Sequence, residues 1–250
     1  MLRGSFFLMS NDDARASGQF NTTHWSVVLL AGQAGSTASQ TALEKLCRSY
    51  WQPVCSFARR KGWGEEDAKD LTQQFFASLL ERNDFRGLDP SRGKFRTFLL
   101  TAFTHFLANE YDRASALKRG GGRALLSLEE LPPDEPGLAS PEISPGSLYD
   151  LRWAQTIVQM ALKELTAEMR QAGKEAQFTA LRRFLTAGAE AGDYALVAEK
   201  IGVESSSVPV MVHRLRQRYR ELVRAEVAQT VSSPLELEEE MRYLLAVLSQ

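Results

Sequence analysis

Along most of this chain apolar residues return at intervals of three and four, and nowhere do they alternate over the length of a strand. A repeat near 3.6 puts apolar side chains on one face of a helix, whereas a half-buried strand needs a repeat of two. The chain is therefore read as all-α. The pattern predicts helices over 41–62, 65–82, 95–117, 149–169, 175–185, 194–201 and 207–227. In the first, Leu43, Leu46, Cys47, Tyr50, Val54, Phe57 and Ala58 face inward, Pro53 implies a break or kink near Trp51, and Gly62 stops the helix. In the second, Ala68, Leu71, Phe75, Phe76, Leu79 and Leu80 face inward, while Asp70, Gln73 and Gln74 face away. In the third, Phe95, Phe98, Leu99, Ala102, Phe106 and Leu107 face inward, and Thr101, His105, Asn109 and Arg113 form an outer ridge at i+4 spacing.

Between 120 and 148 the pattern fails. Gly120-Gly121-Gly122 is followed by Pro132-Pro133, Pro136-Gly137, Pro141 and Pro145-Gly146 among acids, a composition that holds neither helix nor strand. Charge changes at the same place. Net charge is +5 over 41–125, −6 over 126–150, +4 over 151–224 and −4 over 225–250, although the whole chain carries only −1. For 250 residues two domains are expected. They are placed at 41–119 and 149–227, two helical domains joined by a Pro/Gly-rich acidic linker at 120–148. An N-terminal extension (1–40) precedes them and an acidic C-terminal helix (228–250) follows. In the extension, Thr22-Thr23 can cap a short helix over 24–31. In the tail, Ser233-Pro234-Leu235-Glu236 supplies a capping box, and Leu237, Met241, Leu244, Leu245 and Leu248 form an apolar stripe.

The most informative segment is 194–224. Val197, Ala198, Ile201, Gly202, Val203, Val208 and Met211 have the spacing of a helix-turn-helix: a small residue where the helices cross, and a glycine at the turn. The second helix turns Val210, His213, Arg214, Gln217, Arg220 and Arg224 outward. Guanidinium groups interleaved with His and Gln suit phosphates and base edges in a major groove.

Nothing in the sequence asks for an enzyme. No zinc, nucleophile-elbow or phosphate-loop motif is present, and His24, His105 and His213 are scattered, so no metal site and no cofactor is expected. Cys47 and Cys55, eight apart on one helix, would lie about 12 Å apart, too far for a disulfide. No apolar run approaches a membrane span, and Phe6-Phe7-Leu8-Met9 is shorter than a signal-peptide core, so a cytoplasmic location is expected.

Three segments, EEDAKDLTQQFFASLLER at 65–82, DPSRGKFRTFLLTAFTHFLANEYDR at 89–113 and YALVAEKIGVESSSVPVMVHRLRQRYRELV at 194–223, resemble in order and separation the bacterial extracytoplasmic-function (ECF) sigma factors. The resemblance covers about 40–118 and 150–225. It implies a promoter-reading subunit of RNA polymerase whose partners are core polymerase and promoter DNA. An anti-sigma factor, or the chain's own C-terminal tail, would be a restraining partner. By that resemblance Asp70, Gln73 and Phe76 contact core polymerase. The loop 88–94, with Arg92 and Lys94, holds an unstacked base, and His105, Asn109 and Arg113 track the −10 strands. Ser206, Ser207, His213, Arg214, Gln217, Arg220 and Arg224 bind the −35 element. The family often has Asn at the position of His105 and Asp at that of Asn109. It usually has polar or basic residues where Pro209, Val210 and Met211 stand, which implies a helix leaning more on phosphates. Pro209 is accommodated if Ser206 or a neighbour caps the helix. Two other readings remain: a helix-turn-helix DNA-binding regulator that acts without joining polymerase, and a helical interaction protein that has lost DNA binding.

Overall fold

The computed structural model describes residues 37–82, 94–118 and 143–249. Among them are eight α-helices and no strand, so the all-helical reading holds. The helices are α1 (Thr37–Arg60), α2 (Glu65–Arg82), α3 (Phe95–Lys118), α4 (Pro145–Gln171), α5 (Glu175–Leu181), α6 (Asp193–Ile201), α7 (Val208–Ala228) and α8 (Pro234–Leu248). The expected short helix at 24–31, the loop as far as Gly93 and residues 120–142 of the expected linker lie outside the described residues. Tertiary contacts divide the chain into two compact units. Of the described residues, 37–156 and 229–236 form the first, and 157–228 and 237–249 the second. The division falls within α4.

In the first unit α1 runs unbroken through Pro53, so no break occurs at Trp51. An interior proline costs a helix about 3 kcal/mol. Tyr50, Val54 and Phe57, each at most 4% exposed, flank it, and burying such side chains stabilises by about 1.5–3 kcal/mol apiece, which outweighs the cost. The helix ends at Gly62, whose φ of 97° suits a residue without Cβ, and Trp63 N donates to Ala58 O at 3.3 Å. The inward face of α3 is Phe95, Leu99, Phe103 and Leu107, a strict i+4 row. Phe98, Ala102 and Phe106, expected inward, are half-buried along its edge, as are Leu79 and Leu80 on α2.

The start of α4 differs from expectation. Ser144 Oγ accepts from Ser147 N at 3.0 Å, and Pro145 occupies the first helical position. The Ser-Pro pair is thus a helix start, four residues before the expected one. The end of α1 is tied to this segment where Arg60 Nε donates to Ile143 O at 2.8 Å. Arg96 of α3 pairs with Asp150 and lies 5.1 Å from the Trp153 ring, and Tyr149 Oη donates to Arg96 O at 3.1 Å. Phe95 N donates to Thr230 O at 3.2 Å, which brings 229–236 into the same unit.

The second unit contains α6 and α7, the pair read from the sequence as a helix-turn-helix. Val197 and Ala198 of α6 and Val208, Val212 and Leu215 of α7 are buried. Gly202 caps α6 at φ 70°, and Val203 N donates to Ala198 O at 3.0 Å. A 3-10 turn, Ser205–Ser207, leads into α7. The expected serine cap is absent. Ser206 Oγ donates to Glu204 Oε2 at 3.4 Å, while Val208 N is satisfied by Ser205 O, so Pro209 sits in the first turn where no N–H is needed. The expected helix 175–185 closes as a 3-10 turn, Arg182–Leu185, because Arg216 of α7 takes its terminal carbonyls: Nε donates to Phe184 O at 2.7 Å and Nη2 to Ala187 O at 2.9 Å. Tyr219 Oη donates to Val158 O at 2.9 Å.

The tail helix forms as read. Ser233 Oγ accepts from Glu236 N at 3.3 Å, while the Glu236 carboxylate reaches Ser232 N at 2.8 Å, one residue earlier than a standard capping box. Leu237, Met241, Leu244 and Val247 are buried; Leu245 and Leu248 are half-buried. Both cysteines are free and buried, and burial, with Glu44 nearby, pushes the Cys47 thiol up to about 12.

Phe103 is fully buried, 4.9 Å from the Phe75 ring and 6.1 Å from Phe57. Phe103→Ala is expected to cost about 3–5 kcal/mol in urea unfolding, whereas the half-buried Leu79→Ala should cost less than half as much. Equal losses would show that Phe103 does not centre this core.

Candidate nucleic-acid interface

Each unit carries one candidate surface. In the first, α2 and α3 leave a groove of about 550 Å³ between them. Phe75, Leu79, Phe98, Ala102 and Phe106 make its apolar lining; Gln74, Ser78, His105, Asn109, Glu110 and Arg113 make its polar edge. His105, Asn109 and Arg113 are therefore brought together, all exposed, on the rim of an aromatic-lined groove. Arg113 is paired with Glu110 one turn back, so its formal charge is offset there. Gln74, expected to face away, belongs to the groove. Its position next to Phe75 and one turn before Ser78 is the signal that places it there.

Asp70 and Gln73 are exposed on a side of α2 turned roughly 140° from the groove, at about 100° per residue. Phe76 is not on that surface. It is 5% exposed, with its ring stacked on Trp51 at 5.9 Å, because the apolar face of α2 is wide enough to include it. Lys94 is half-buried, and its carbonyl opens α3 by accepting from Thr97 N and Phe98 N. Arg92 lies outside the described residues.

The second surface is α7. At about 100° per residue, Val210, His213, Arg214, Gln217, Glu221 and Arg224 fall within about 60° of one line along the helix. Ser206 and Ser207 are exposed in the turn before it. The cations of this helix fall into two groups. Arg216 is spent on the two carbonyls of the preceding segment. Arg218 forks onto Glu168 at 2.9 and 2.5 Å and also meets Glu221 at 2.9 Å. Arg224 is paired with Glu238 of α8. Arg220 is half-buried. Among the described residues, His213, Arg214 and Gln217 are exposed and engage no side chain or carbonyl of the chain. The basic face expected from sequence is therefore concentrated in the first turns of α7.

No cluster of His, Cys, Asp or Glu able to hold a metal occurs among the described residues, and no described helix is long and apolar enough to cross a membrane. Comparison with protein-family models, with curated proteins and with solved structures finds no match to this chain.

The division of the arginines is measurable without a ligand. Arg218→Ala is expected to lower stability at pH 7 by about 0.5–1 kcal/mol, and Arg214→Ala to stay within about 0.5 kcal/mol of the parent, in urea unfolding. The hydrogen bond from Arg218 holds the Glu168 carboxyl below its ordinary value of 4.5. The stability it contributes is present above that value and is lost as pH falls through the lower, folded-state value. The gap between the two variants should therefore close in acid, and a gap unchanged down to pH 2 would refute the pairing.

Proposed function

We propose that this chain is a sigma factor of the ECF type that directs RNA polymerase to promoters. In this reading the second unit binds the −35 element through α7. The first unit docks on core polymerase through α2 and follows the −10 strands along α3. The observation that supports the proposal is the face of α7 following the Gly202 turn, where exposed His213, Arg214 and Gln217 are left without partners while neighbouring arginines are bound internally. Such a stripe at the start of a recognition helix matches the chemistry of phosphates and base edges. The groove adds to it: aromatic walls with His, Asn, Gln and Arg at the edge suit an unstacked base and its backbone. Asp70 and Gln73, polar and exposed on the opposite side of α2, leave that side for a protein partner.

The test is in vitro transcription with core polymerase and run-off mapping, together with direct binding to core. Promoter-specific transcripts are expected. No affinity for core at micromolar protein would overturn the proposal, and duplex binding without core binding would favour a helix-turn-helix regulator instead.

The Arg224–Glu238 pair makes a second expectation. A phosphate contacting Arg224 must displace Glu238, so the acidic α8 opposes DNA at that position. Arg214→Ala is expected to flatten the slope of log K against log salt by about 0.9, and Glu238→Gln to tighten binding and steepen the slope by up to the same amount. An unchanged slope for Glu238→Gln, read by fluorescence anisotropy, would mean that Arg224 makes no phosphate contact.

A further inference from the structure

Within the stripe that α7 turns outward, one residue has the wrong chemistry for a phosphate. Val210 is 51% exposed, between the buried Val208 and Val212 that the fold uses. It lies about 20° from Gln217 and about 40° from Arg214 around the helix axis. Its exposure does nothing for the fold: no core position is filled, and valine is a poorer helix former than the alanine or lysine that could stand there. From Val210 to Gln217 the stripe is about 10 Å long, the span of about three base pairs. Beyond it Glu221 lies on the same line, exposed and bound to Arg218, and a carboxylate does not approach a phosphate backbone. The free part of the stripe thus offers a cation, a His, an amide and one branched apolar side chain.

In the major groove the feature that matches an apolar side chain is the C5-methyl group of thymine. A valine in a helix is held in one χ1 rotamer, so its two methyl groups are presented in a fixed place with little freedom to lose. We propose that Val210 is a base-reading residue that recognises a thymine methyl at the site contacted by α7. The inference rests on the DNA-binding reading of this helix and deepens it: Arg214 supplies phosphate or guanine contact, and Val210 selects against bases without a methyl group.

The experiment uses the full chain. Preferred duplexes are selected from a randomised library, and each thymine on either strand is replaced in turn by deoxyuridine, which removes only the methyl group. Fluorescence anisotropy is expected to show one position at which the replacement weakens binding by about fourfold, the effect of one buried methyl group. With Val210→Ala that position should become indifferent to the methyl, while Arg214→Ala should keep the methyl dependence and flatten the salt slope by about 0.9. Val210→Ala replaces an exposed residue by a better helix former, and unchanged helicity by circular dichroism would confirm that it folds. Duplex binding without any methyl-dependent position, or a dependence that survives Val210→Ala, overturns the inference and leaves the DNA-binding reading standing. Absence of any duplex binding overturns both.

Discussion

A continuous chain of four rings holds the first unit together. Tyr149 of α4 meets Phe57 of α1 at 6.4 Å, Phe57 meets Phe103 of α3 at 6.1 Å, and Phe103 meets Phe75 of α2 at 4.9 Å. Four helices from distant parts of the sequence are joined through three contacts. In a folded protein most of a helix's stability comes from packing its apolar face, and for these helices of 18 to 27 residues this burial supplies it. Each aromatic pair adds about 0.5–1.5 kcal/mol beyond its area. The groove depends on the same rings. Phe75 and Phe106 line it and lie 5.6 Å apart, so the spacing of α2 and α3, and with it the position of His105, Asn109 and Arg113, is set from the core outward.

In the second unit the governing constraint is the use of arginine. Arg216 satisfies two carbonyls that the end of a short helical segment leaves open, a task for a planar fork of donors that a lysine ammonium cannot perform in the same geometry. Arg218 makes the equivalent fork onto Glu168. The net charge of this region therefore overstates what is available to a ligand. Arg214 keeps its charge for use because no acceptor of the chain lies within its reach.

Much of this was legible in the sequence, and the failures share a cause. Periodicity located α1, α2, α3, α6, α7 and α8, and the Gly202 turn was readable because only glycine takes a positive φ there without strain. Phe103 of α3 went unassigned, although its ring is fully buried, as is that of Phe95. That helix is apolar over so much of its circumference that periodicity shows a face without showing its centre. Periodicity places Phe76 in the core while the resemblance places it on the docking surface, and the structure buries it. Pro145 and Gly146 were counted with the linker because proline and glycine break helices, yet after Ser144 the same proline begins one. For the candidate interface, residue types and spacing gave the outward stripe of α7. Which arginines are already bound depends on Phe184, Glu168 and Glu238, tens of residues away or on another helix, and no local pattern carries that.

The two ends of α7 present opposite surroundings to a polyanion. Its N-terminal turns combine the positive end of the helix dipole, about half a charge, with an unbound guanidinium and a histidine. Near its C-terminal turns the dipole is negative, and Glu221 and Glu238 accompany the arginines there. The 21 residues of the helix place these ends about 30 Å apart, roughly three to four Debye lengths at physiological salt. Each end therefore acts on an approaching duplex almost independently of the other, and attraction at one is not cancelled by repulsion at the other. On the DNA-binding reading proposed above, such a helix would enter a groove end-first through residues 206–217, with its acid-flanked far end kept away from the backbone. On the same reading, that polarity would confine the contacting stripe to the first turns of α7.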